Sequence, residues 1–118
     1  MPRAEIRYLQ IPTADVAASA RFYERALGWT IRTRSDGSTA FDDTTGEVGG
    51  EWMLDRQAAD DTGVLVHVRV DDVEASLDKI LDAGGEIVLP RTPQGDGIAY
   101  ATFRDPAGNV LGIFQEHG

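Results

Sequence analysis

Between Val64 and Val70 the chain alternates Val64, Val66, Val68 and Val70 with Leu65, His67 and Arg69. Successive strand side chains point to opposite faces, so this run predicts a strand with one wholly apolar face. Asp71 or Asp72 can cap the helix that follows, in which Val73, Leu77, Ile80 and Leu81 form one stripe at helical spacing. Gly84 and Gly85 stop that helix. Strands are then predicted over 86–90, 97–104 and 109–116, the last two joined by the turn Asp105-Pro106-Ala107-Gly108.

The same order occurs earlier. Residues 6–12 alternate as a strand, and residues 15–27 read as a helix with Val16, Ala20, Tyr23 and Leu27 on one side. Gly28 ends it, and residues 29–34, 38–42 and 49–54 supply three further strands. Shifting the chain against itself by 57 positions brings Asp15 onto Asp72, Val16 onto Val73, Ala18 onto Ala75, Ser19 onto Ser76, Ala26 onto Ala83 and Gly28 onto Gly85. Six matches in so short a window compare with about one expected by chance at ordinary residue frequencies. The pattern predicts an α+β domain of two βαβββ modules, residues 5–55 and 64–116, joined by a polar linker at 56–63. A half of that size buries too little surface to stand alone, so the modules must pack on each other. With a helix on one face of each sheet, the other faces are expected to form a cup around a cleft, helices outside.

Composition narrows the partners. The formal net charge is −9 with no acidic tail, which repels phosphate backbones and argues against nucleic acid and anionic membranes. Cysteine is absent, excluding disulfides, thiolate metal sites and a cysteine nucleophile. No run approaches the roughly 20 apolar residues that span a bilayer, nor is there a signal-like apolar segment, so the expected location is cytoplasmic.

The stretches Ile11-Pro12-Thr13-Ala14-Asp15, Phe22-Tyr23, Leu27-Gly28-Trp29, Val70-Asp71-Asp72-Val73, Gly84-Gly85 and Asp105-Pro106-Ala107-Gly108-Asn109 resemble the vicinal oxygen chelate superfamily. That group holds glyoxalase-like lyases, extradiol dioxygenases, epimerases, fosfomycin-modifying enzymes and bleomycin-resistance binding proteins. The resemblance implies the twin-module fold and a homodimer, with clefts lying within a chain or between chains. It also implies divalent-metal positions on the first and last strands of each module. These fall on Tyr8, Leu65 and Gly112, with Glu51, Trp52 and Asp55 as alternatives for the fourth. Leucine and glycine offer no ligand atom and neutral tyrosine is a poor one, so the usual metal site is expected to be missing.

Gln10 and His67 occupy matching places in the two modules, two residues beyond the expected ligand positions and so on the same strand face. A displaced metal set of His67, Gln10 and Glu116 can be drawn, but it supplies too few good ligands. Strand parity adds Tyr8 and Phe114 to that face, and Trp52 and Tyr100 are further candidate cleft aromatics, with Leu65 beside them. The expectation is a protein that binds a small amphipathic or aromatic molecule through Tyr8, Gln10, Trp52, Leu65, His67, Tyr100 and Phe114, without cofactor. The alternative is a lyase, isomerase or dioxygenase-type enzyme using a displaced metal, or His67 as base. Phosphate-loop, nucleophile-elbow and His-Glu-x-x-His patterns are absent.

Overall fold

A computed structural model describes residues 2–116. The first module runs β1 (Tyr8–Pro12), α1 (Val16–Leu27), β2 (Thr30–Thr33), β3 (Thr39–Asp42) and β4 (Gly49–Met53). The second runs β5 (His67–Arg69), α2 (Val73–Asp82), β6 (Glu86–Gly95), β7 (Ile98–Arg104) and β8 (Val110–Gln115). Each module forms its own four-stranded mixed sheet, in the orders β1-β4-β3-β2 and β5-β8-β7-β6. The first strand pairs parallel with the last, and the remaining pairs are antiparallel. The repeat read from the sequence is therefore a repeat of topology.

Both helices are capped as expected. Asp15 and Asp72 accept from the backbone N–H groups of Ala18 and Ala75, satisfying donors that have no partner inside the helix. Gly28, with φ +72°, ends α1 in the left-handed region. Of the predicted stripe on α2, Val73, Leu77 and Ile80 are buried, whereas Leu81 is exposed. β6 extends well beyond the expected stop at Pro90. It passes Pro90 and Pro93 through three register shifts, which an edge strand tolerates because its outer side needs no donors.

One apolar cluster unites the two modules. Trp29 stacks between Tyr23 at 4.8 Å and Phe41 at 4.7 Å, Trp52 lies against Tyr23 and Phe41, and Phe22 reaches Phe103 of the second sheet. Ile80, Ile113, Val73 and Leu77 complete it. Polar bonds fasten the same joint. The Tyr23 hydroxyl donates to Asp105 Oδ2 at 2.7 Å, and Asn109 Nδ2 donates to the Pro12 carbonyl at 2.7 Å. The Ala59 N–H of the linker donates to Asn109 Oδ1 at 2.8 Å. The Asp-Pro-Ala-Gly-Asn turn thus ties strand β1, helix α1 and the linker to the second module.

Candidate functional site

Each sheet turns one face to its helix and leaves the other open. On the first sheet the register pairs Gln10 with Glu51 and Arg32 with Ala40, so Tyr8, Gln10, Glu51 and Arg32 share the open face. Gln10 Nε2 donates to Glu51 Oε2 at 2.9 Å, and Arg34 Nη1 donates to Glu51 Oε1 at 3.2 Å. Arg34 also donates to the Tyr8 hydroxyl, with its guanidinium 5.7 Å from the Tyr8 ring centre. The Gln10 amide, helped by Arg34, holds the Glu51 carboxyl below its ordinary range. Beside this network Arg32 pairs with Asp42 at 2.8 Å.

The second open face is different in kind. His67 pairs with Gly112, Arg69 with Phe114, and Phe114 with Tyr100. A side-chain carbon built on Gly112 would overlap the His67 imidazole, whose Nδ1–Cε1 edge lies against the strand there. Glycine at 112 is what lets the ring settle onto β8. His67, Gln94, Ile98, Tyr100 and Phe114 line a slot of about 300 Å³. Glu116, proposed from sequence as a displaced ligand, instead pairs with Arg69 at 3.3 Å.

A larger cavity of about 750 Å³ runs between the modules. Residues 64–72 form one wall, and the end of α1 and the β3–β4 hairpin form the other. Leu65 and His67 border it, but neither cavity takes in Tyr8 or Gln10. Neither of these two cavities therefore joins the two open faces. His67 and Gln10 stand on separate sheets, and among the described residues no three His, Asp or Glu side chains converge as a metal cluster.

Of the aromatic residues expected in the cleft, Tyr8, Tyr100 and Phe114 are on open faces and Trp52 is not. Its β4 position pairs with Ile11, so its ring enters the core at 5% exposure and it leaves the candidate set. Of the three alternatives for the fourth metal position, Glu51 faces Gln10, and Asp55 lies beyond the end of β4. Arg34, Arg32, Gln94 and Ile98 were missed. The arginines had a signal in the alternation Thr30-Ile31-Arg32-Thr33-Arg34, whereas Gln94 and Ile98 reach the slot from the β6–β7 hairpin tip, whose position no local pattern discloses.

Residues 5–113 match the family model of the Glyoxalase/Bleomycin resistance protein/Dioxygenase superfamily. The chain belongs to this superfamily. Among curated relatives, DnrV of Streptomyces peucetius, an anthracycline biosynthesis protein, is 29% identical over 127 residues, covering 92% of this chain and 46% of DnrV. CFP32 of Mycobacterium tuberculosis is 25% identical over 115 residues, covering 92% of this chain and 44% of CFP32. The chain thus spans less than half the length of these two relatives. Among solved structures, TnmS3, an antibiotic binding protein from Streptomyces sp. CB03234, aligns with a TM-score of 0.76 at 19% identity, covering 98% of both chains. A family enzyme from Burkholderia phytofirmans PsJN aligns at 0.77 and 20% identity, covering 95% of this chain and 98% of its own. At these identities the structural matches establish the superfamily fold and no particular chemistry.

Proposed function

We propose that this superfamily member is a binding protein that holds a small aromatic or amphipathic molecule on its open faces, needs no metal, and works as a homodimer. The observation that carries this reading is the slot formed by His67, Gln94, Ile98, Tyr100 and Phe114, which has apolar and aromatic walls and no carboxylate. Such walls hold a flat molecule by burial and stacking. Glu51, the acidic residue best placed for a metal on the first sheet, is already engaged by Gln10 and Arg34. The antibiotic-binding and anthracycline-pathway neighbours point in the same direction. Among the described residues nothing covers either open face, and Ile6 and Val64 beside the first strands are 80% and 94% exposed. A second copy laid against these edges would close the site and remove that apolar surface from water.

His67 has no protein hydrogen-bond partner among the described residues and faces the slot, which favours a second reading, a lyase or isomerase with His67 as base. That role would require an orienting group, and the nearby carboxylate Glu116 is turned to Arg69 instead.

Native mass spectrometry with elemental analysis of the same sample tests the proposal. A metal-free dimer, with or without a small aromatic passenger, is the expected result. One divalent ion per chain would overturn the metal-free reading, and a strictly monomeric protein would overturn the shared site.

A further inference from the structure

The two modules keep one pair of positions in register and use it in opposite ways. In the first, Gln10 faces Glu51, and the two side chains are bonded to each other at 2.9 Å. In the second, His67 faces Gly112, which has no side chain to answer it. The imidazole fills the space over Gly112 with its Nδ1–Cε1 edge and keeps Nε2 on the side turned away from the strand. Around it Tyr100, Phe114 and Ile98 offer ring faces and methyl groups, and Gln94 and the imidazole are the polar groups of the slot. The His67 ring is exposed, so a ligand seated in the slot would cover it, and a ligand oxygen placed against it would replace the bond to water that covering removes.

We infer that the free imidazole of His67 selects aromatic ligands carrying an oxygen, a phenolic hydroxyl or a quinone-type carbonyl, at the ring edge. This rests on the proposed aromatic-binding role and adds the chemical class of the ligand. At Nε2 a neutral imidazole accepts from a hydroxyl in one tautomer and donates to a carbonyl in the other, so both oxygen types fit. The slot volume, about 300 Å³, suits a ring system of two or three fused rings lying across the neighbouring Tyr100 and Phe114.

The probes are naphthalene and 1-naphthol, titrated into the full chain by fluorescence. Burial alone favours naphthalene, because the hydroxyl of naphthol must leave water. The wild-type protein is expected to reverse that order and bind 1-naphthol about tenfold more tightly. His67→Phe keeps the ring and removes its nitrogens, and His67→Ala removes both. Either variant, checked for an unchanged circular dichroism spectrum, should bring the two probes to within about twofold by weakening naphthol alone. Equal binding of the two probes by wild type, or a preference surviving in His67→Phe, overturns the inference while leaving the binding role in place. Binding of neither probe overturns both.

Discussion

Tyr23 and Asp105 lie 82 positions apart in the chain, yet the tyrosine hydroxyl donates a 2.7 Å hydrogen bond to the aspartate carboxylate inside the fold. The same carboxylate accepts from the N–H groups of Ala107 and Asn109 and from Asn109 Nδ2. The Asp105 carboxylate is buried, forms no ion pair among the described residues, and accepts from four donors, one of which comes from the other module. Removing that donor leaves the carboxylate undersatisfied in a site with little water.

Tyr23→Phe should therefore destabilise the protein by about 1–3 kcal/mol, read as a lower midpoint in urea with an unchanged slope. Stability equal to wild type would show that the bond is incidental.

Alkali should act through the same pair. Burial first, and then the neighbouring Asp105 charge, raise the Tyr23 hydroxyl well above its ordinary 10.0. The folded state thus keeps a proton that the unfolded chain gives up. The resulting stabilisation is complete below about pH 10 and is lost as the pH rises beyond it. Urea midpoints measured from pH 8 to 11 should fall above pH 10 in wild type and fall less steeply in Tyr23→Phe. Parallel curves would place the alkaline sensitivity elsewhere.

Trp52→Phe should cost little. The indole Nε1 of Trp52 is buried with no partner, so the substitution removes an unsatisfied donor at the same time as it removes ring volume. A change of less than about 1.5 kcal/mol is expected, against about 3–5 for Trp52→Ala, which empties the space beside Tyr23 and Phe41. A large loss in Trp52→Phe would mean that the indole nitrogen has a partner, such as a buried water.

Gly50→Ala and Gly112→Ala should separate two kinds of close approach. A side-chain carbon at Gly50 would overlap the Leu9 carbonyl and the Phe41 ring, which cannot move without breaking the β1–β4 pairing. At Gly112 the obstacle is the His67 side chain, which sits on an open face and can rotate away. Gly50→Ala is expected to lose about 3 kcal/mol or to fail to fold. Gly112→Ala should fold and shift the His67 imidazole signals in its NMR spectrum. Similar stability losses in both would contradict the distinction.

Topology was legible in the sequence because it rests on period and punctuation. The valine alternation before Asp72, the apolar stripe of each helix and the glycines after them are local signals, and each corresponds to an element. Extents were less legible where pairing decides them. The valine run predicts a strand over 64–70, but only His67–Arg69 is assigned as β5, while β6 passes two prolines on an outer edge. Parity within a strand was readable for Tyr8, Gln10 and His67. It was not readable for β4, where Glu51 and Trp52 could not be assigned to faces until pairing with β1 put Trp52 opposite the buried Ile11. The relation of one open face to the other depends on how whole modules meet, and no run of neighbouring residues encodes that.

The aromatic cluster that joins Tyr23, Trp29, Phe41 and Trp52 to Phe22 and Phe103 has a consequence for how the chain comes apart. A duplicated architecture suggests two beads that could melt in turn. Here Phe22 and Tyr23 of one half rest on Phe103 and Asp105 of the other, so opening either half strips cover from both. The cooperative unit is then the whole chain: calorimetry should record a single transition with equal calorimetric and van't Hoff enthalpies, and amides deep in α1 and in β7 should exchange through the same global opening.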